Sequence, residues 1–245
     1  MTITRDRFDA VLFDLDGVLT ATAKIHAACW KRAFDEFLRS RSGVEKEAFE
    51  PFDIATDYVR YVDGKLRYDG VRGFLESRGI HLPEGDPAEP PNFDTICGVG
   101  NLKEKMVREA LETEGVEVFD GSVALVRTLR EKGIKTAVVS ASKNCRAVLQ
   151  AAGIEDLFEA RVDGVVAEQL SLPGKPAPDT YLKAAEMLGV EPGRAVVVED
   201  AISGVQAGRD GGFGLVIGVD RKGDAGLLRE HGADLVVVDL GELVQ

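Results

Sequence analysis

The sequence predicts an α/β protein built on a doubly wound parallel sheet, with a smaller helical domain inserted after the first strand. Three observations carry that reading. Short Val- and Ile-rich runs recur through the C-terminal half without polar alternation, which suits strands covered on both faces. The stretches between them carry apolar residues three and four apart, as amphipathic helices do. Residues 22–116 show mainly helical patterns, with no β-rich run among them.

Taken in order, Ala10-Val11-Leu12-Phe13 reads as a buried first strand. Within the insert, residues 27–38 (with Trp30, Phe34, Phe37 and Leu38), 70–77 and 102–112 (with Met106, Val107, Ala110 and Leu111) read as helices. Their aromatic and Met positions are most simply the insert's own core. Pro83, Pro87, Pro90 and Pro91 with Gly85 predict an irregular loop between Gly79 and Phe93. Strands follow at 135–140, 194–200, 214–219 and 235–238, alternating with helices at 122–131, 143–152, 180–188 and 202–208. Gly133, Gly153 and Gly189 fall where helix C-caps are expected. Residues 1–21 and 117–245 are therefore expected to form the α/β core and residues 22–116 a helical cap. Hinges are expected near 21–24 and 116–120. An insert at that point belongs near the carboxyl ends of the strands, where open α/β sheets bind ligands.

Composition narrows the partners. The formal net charge is −12, which disfavours nucleic acid and anionic membrane. A few local lysines could still gather a small phosphorylated substrate. No apolar stretch approaches the roughly 20 residues that span a bilayer, and the first seven residues lack the apolar stretch of a secretory signal. Cys29, Cys97 and Cys145 are scattered and odd in number, so a reducing cytoplasm is expected rather than a disulfide framework or zinc site. A monomer or small homo-oligomer fits this length.

The chemistry begins where the first strand ends, in Phe13-Asp14-Leu15-Asp16-Gly17-Val18-Leu19-Thr20. Strand alternation points Asp14 and Asp16 the same way, and two neighbouring carboxylates are costly to desolvate together. A hard divalent cation relieves that cost, and Mg²⁺ is commonly held by one or two carboxylates plus phosphate oxygens. Gly17 lets the backbone turn tightly. The alternative is a pair of solvated aspartates before a turn.

Three later strand ends supply complementary groups. Ser140-Ala141-Ser142-Lys143-Asn144 offers hydroxyls and backbone N–H groups to phosphate oxygens, unless a serine there is simply an N-cap. In Leu172-Pro173-Gly174-Lys175-Pro176 a lysine sits on a stiff loop, a point charge suited to a phosphoryl group. Val196-Val197-Val198 ends in Glu199-Asp200 with no basic neighbour in sequence, which suggests cation ligation; Asp200 could instead cap the helix that follows.

The ordered set DLDG at 14–17, Ser140, Lys175 and Glu199-Asp200 resembles the four motifs of the haloacid-dehalogenase superfamily, across nearly the whole chain. The resemblance implies a Rossmann-like core with a helical cap after motif one. It also implies that Asp14 is the phosphoryl-accepting nucleophile and Asp16 the general acid/base. Ser140 and Lys175 would hold the transferring group, and Asp14, Asp16, Glu199 and Asp200 a Mg²⁺ ion. Within the superfamily, FDLDGVLTATAKIHAACW, SASKN, GKPAPD and VVVEDAISGVQA are similar to the β-phosphoglucomutase-like subfamily. That similarity implies a gating histidine at His26, a hinge threonine at Thr22, and substrate contacts from Ser140, Ala141, Ser142, Lys143 and Asn144. Three departures stand out: Ala21 replaces a hinge acid, Ala201 replaces the serine after the acidic pair, and the cap lacks the usual arginine-containing loop. Arg60 is the expected cap contact, with Lys65, Arg67 and Arg72 as neighbours. The implied activity is a cytoplasmic isomerase that converts β-glucose 1-phosphate to glucose 6-phosphate through an aspartyl-phosphate. Closure of the cap would keep water out. The rivals are a sugar-phosphate phosphatase using the same core and a noncatalytic binding module retaining the fold.

Overall fold

The computed structural model describes residues 3–45 and 50–244; Met1 and Thr2 of the N-terminal heptapeptide lie outside them. The chain divides into two compact units, residues 1–22 with 116–245, and residues 23–115. Thr22 thus groups with the α/β unit.

Among the described residues of that unit, six strands form one parallel sheet: β1 (Ala10–Phe13), β2 (Lys135–Val139), β3 (Ala160–Val162), β4 (Ala195–Glu199), β5 (Leu215–Val219) and β6 (Leu235–Val237). Their order is β3-β2-β1-β4-β5-β6. β1 is central, with Phe13 opposite both Val138 and Val198. The Val-rich strands are buried because each has sheet neighbours and apolar cover: every residue of β1, β4 and β5 is buried. On one face, Ala10, Leu12, Ala137, Val139, Ala195 and Val197 pack with Tyr181, Ala184, Ala185 and Leu188. Those four belong to the helix Asp179–Leu188. Leu12 and Val197 are fully buried, each worth about 1.5–3 kcal/mol over exposure.

The expected strands and helices of this unit are present, with helix bounds of Asp120–Glu131, Cys145–Ala151, Asp179–Leu188 and Ile202–Asp210. β3 and the short helices Gly164–Gln169 and Ala225–Glu230 are additional. Gly189 closes its helix in the left-handed conformation, φ 63°, as a C-cap glycine does. Chain order runs outward from β1 through β2 to β3, then returns to β4 on the other side of β1. The switch point beside β1 is where such sheets bind ligands.

The second unit is helical. Its elements are α1 (Ala23–Glu45), a π-helical segment Ile54–Val62, α2 (Arg67–Ser77) and α3 (Ile96–Glu114). Phe34 is the hub of an aromatic core, with ring centroids 5.0 Å from Trp30, 5.0 Å from Phe52 and 4.3 Å from Phe74. The buried Asp35 carboxylate accepts from Phe52 N at 2.8 Å and from Lys31 Nζ at 3.0 Å, which ties α1 to the entry of the π-helical segment. The proline-rich stretch forms the irregular link between α2 and α3. Among the described residues, no helix is long and apolar enough to cross a membrane.

Candidate active site

The register of the parallel sheet brings the motif residues to one edge. Asp14 directly follows β1 and its N–H donates to Val198 O at 2.9 Å, while Ser140 directly follows β2 and donates to Val162 O at 3.0 Å. β4 ends in Glu199, with Asp200 next in the chain. Parallel strands all terminate in the same direction, so residues 14, 140, 199 and 200 share an edge because their strands do.

Lys175 Nζ enters this cluster from the Gly-Pro loop and is buried. It donates to Asp14 Oδ1 at 2.6 Å, to Glu199 Oε1 at 2.5 Å and to Val139 O at 3.3 Å. The Tyr181 ring lies 4.9 Å from the same ammonium, and its hydroxyl donates to Glu199 Oε1 at 3.0 Å. Glu199 Oε2 accepts from Ala201 N at 3.0 Å. Glu199 is therefore fixed by three donors. The N-cap position of the following helix is Ala201, with no side-chain cap, so Asp200 does not cap it.

Two glycines leave room for these acids. A Cβ on Gly17, whose φ is +96°, would lie 2.1 Å from Asp200 Oδ2. A Cβ on Gly204 would lie 1.8 Å from Glu199 Oε1.

The charge balance is lopsided. Carboxylate oxygens of Asp14, Glu199 and Asp200, all buried, lie within 4.8 Å of one another. Burial pushes the Asp14 carboxyl well above the ordinary range; the Lys175 ammonium opposes the rise, and Glu199 and Asp16 add to it. Burial alone would lower the pKa of Lys175, yet the carboxylates of Asp14 and Glu199 outweigh it and hold the ammonium well above its usual value. Negative charge is in excess, so the cluster draws protons or a cation. Three hard oxygen donors this close suit an ion such as Mg²⁺.

Asp16 faces two hydroxyls. Its Oδ1 accepts from Thr22 Oγ1 and its Oδ2 lies 3.4 Å from Ser140 Oγ. Thr22 is itself held by Thr20 Oγ1 at 2.7 Å. Ser140 Oγ also accepts from Ser142 N at 3.1 Å, and Ser142 Oγ from Asn144 N at 3.1 Å. The 140–144 loop is thus braced by its own serines rather than by an N-cap. Gly164 N donates to Ser142 O at 3.2 Å, and Ala141 O would meet a Cβ at Gly164 at 2.6 Å. Lys143 Nζ pairs with Glu168 at 2.7 Å.

His26 and Arg60 lie in the helical unit. His26 Nδ1 is 2.9 Å from Lys103 Nζ, a buried ammonium that also sits 4.9 Å from the Trp30 ring centroid. Arg60 is exposed and lies over the Tyr61 ring at 5.4 Å, and Lys65 Nζ donates to Arg60 O at 2.9 Å. Arg67 pairs with Glu104 at 2.5 Å, and Arg72 with Asp69 at 2.7 Å and Glu84 at 2.8 Å. Arg67 and Arg72 are thereby committed within the unit.

Tyr181, Lys103 and Arg221 belong beside the expected residues but escape a reading of the sequence. Tyr181 is six residues after Lys175 on an amphipathic helix, where an aromatic reads as core. Lys103 is 77 residues from His26.

A parallel sheet in this order, with a lysine-bound aspartate following its central strand, defines a phosphotransferase or hydrolase core of the haloacid dehalogenase kind. The family model for haloacid dehalogenase-like hydrolases matches residues 8–212, and the chain belongs to that family. It is 49% identical over 242 residues to β-phosphoglucomutase of Mycobacterium tuberculosis, covering 98% of this chain and 92% of that protein. It is 31% identical to hexitol phosphatase A of Escherichia coli, covering 97% and 94%. The crystal structure of β-phosphoglucomutase from Clostridium difficile shares the fold, with TM-score 0.75 at 24% identity, covering 96% of this chain and 93% of that one.

Proposed function

We propose that the protein is a Mg²⁺-dependent phosphosugar mutase that converts β-D-glucose 1-phosphate to D-glucose 6-phosphate through an aspartyl-phosphate. The observation that carries this is the Asp14 carboxylate bound by Lys175 within a buried cluster of three acids. The 49% identity to a β-phosphoglucomutase supports the mutase reading.

Asp14 attacks phosphorus, the bond to the sugar oxygen breaks, and Asp16 gives that oxygen its proton. In the second half a sugar hydroxyl returns its proton to Asp16 and takes the phosphoryl group from Asp14. Splitting the transfer this way replaces one difficult displacement with two easier ones. Lys175, anchored by Glu199 and Tyr181, sets its ammonium beside the oxygens that gain charge. Thr22 and Ser140 orient Asp16 for both proton transfers. Asp14, Glu199 and Asp200 would hold Mg²⁺, and the Asp16 backbone would complete the set. The ion supplies charge neutralisation on the transferring group.

The 140–144 loop would bind substrate phosphate through its backbone and through Ser142 and Asn144. His26 would gate Asp16, and Arg60 would meet the second phosphate. The substrate is then a phosphorylated sugar, and the cytoplasm the expected location. The division into a core of residues 1–21 with 117–245 and a cap of 22–116 belongs to the same reading.

Incubation of purified protein with each glucose phosphate isomer, Mg²⁺ and a trace of the bisphosphate tests this. Isomerisation dependent on the bisphosphate is expected. Release of inorganic phosphate without isomerisation would overturn the mutase reading in favour of a phosphatase, which the similarity to hexitol phosphatase A supports.

A further inference from the structure

The loop that follows Asp14 and carries Asp16 is held from outside by Ser122, Phe119 and one arginine. Residues 15–20 close on themselves: Leu19 N and Thr20 N both donate to Leu15 O at 2.9 Å, and Gly17 N donates to Thr20 O at 2.8 Å. Val18 O is taken by Ser122 Oγ at 2.6 Å and Leu19 O by Phe119 N at 3.0 Å. Gly17 O accepts from Arg221 Nε at 2.8 Å, across 204 residues. Gly17 has a positive φ and no side chain, so packing cannot anchor it and its peptide groups must.

Arg221 is built for that contact. It lies two residues past β5, with Nη1 donating to Val238 O at 3.0 Å and 3.9 Å from Asp239 Oδ2. Its guanidinium carbon stacks 3.6 Å from the centroid of the Phe119 ring. One rigid fork therefore joins the aspartate loop, the return crossing at Phe119 and the C-terminal segment. A lysine cannot donate along both directions while lying flat on an aromatic ring. Arg221 Nη2 is buried and has no hydrogen-bond partner among the described residues. Burial also lowers the arginine's pKa, against the pull of Asp239 and Asp200.

We propose that Arg221 is a positioning residue for phosphoryl transfer: it fixes the Gly17 peptide and so aims Asp14 and Asp16. This rests on the roles given to those aspartates under the proposed function. A misplacement of about 1 Å costs about 10²-fold in rate, so Arg221 should act on kcat.

The test compares Arg221→Ala and Arg221→Lys with wild type in three readouts. These are kcat and KM for glucose phosphate, melting temperature, and amide exchange at Gly17 and Thr20. Expected for both variants are a kcat lower by about 10- to 100-fold, KM within about threefold, a melting temperature near wild type and faster exchange at both amides. Millimolar guanidinium ion should restore part of the Arg221→Ala rate. Unchanged kcat, or lost activity that tracks lost stability and no guanidinium rescue, would overturn the proposal. If wild type turns over no sugar phosphate, the functional reading fails on its own. The exchange arm and the rate of Asp14 phosphorylation by acetyl phosphate then decide the role of Arg221.

Discussion

Lys175 Nζ lies 2.6 Å from the Asp14 carboxylate, across 161 residues of chain. The pair shares its ammonium with Glu199, so one buried cation serves two buried acids. Breaking a buried ion pair by removing one partner is costly, about 3–5 kcal/mol. Lys175→Met should lower stability by that order in denaturant titration without Mg²⁺, and abolish turnover. Adding Glu199→Gln should recover part of the stability, because one uncompensated charge disappears. Strict additivity of the two changes would contradict the coupling.

Asp14→Asn should fold normally and lose at least about 10³-fold in turnover, the scale on which removed nucleophiles are felt. Asp16→Ala should still accept a phosphoryl group from an activated donor such as acetyl phosphate, because such a leaving group needs no proton, yet should not turn over sugar phosphate. Rapid-quench measurement of each half-reaction separates the two variants.

The raised pKa of Asp14 gives a pH dependence with a defined sign. Its folded value lies well above the reference 3.8, so protonation favours the folded, cation-free protein. That contribution is fully present below about pH 3.8 and is lost as pH rises through the raised value. A bound cation replaces the proton. Thermal stabilisation by Mg²⁺ should therefore grow as pH rises through this window, and Asp14→Asn should flatten the trend. Equal stabilisation at every pH would contradict the placement of the ion at Asp14.

Gly17→Ala and Gly153→Ala should differ in kind. Both glycines have positive φ, but a Cβ at Gly153 meets nothing within 4 Å, whereas one at Gly17 strikes Asp200. Gly153→Ala should cost about 1–2 kcal/mol of stability and no activity. Gly17→Ala should in addition weaken Mg²⁺ binding and turnover, measured by metal titration of activity.

Much of this was legible in the chain because the chemistry sits at strand ends. Asp14, Ser140 and Glu199-Asp200 each close an apolar run, and the sheet's parallel register gathers such ends without further information. What escaped depends on contacts made by folding. β3 is three residues with Arg161 in the middle, too short and too polar to read as a strand. The π-helical segment at Ile54–Val62 spans nine residues, of which only Tyr58 and Val62 are buried, little for a residue pattern to mark. Arg221 sits in Asp220-Arg221-Lys222-Gly223-Asp224, which reads as a solvated turn until its partner Gly17 is seen. Lys103 passes for a surface residue of α3 until His26 and Trp30 are placed beside it.

The claim on which the rest depends is that Asp14 becomes covalently phosphorylated. Mass spectrometry after incubation with acetyl phosphate and Mg²⁺ tests it directly: a single phosphoryl adduct should map to the peptide containing Asp14 and vanish in Asp14→Asn. An enzyme that isomerises glucose phosphates at full rate while its adduct lies on another residue would contradict the account.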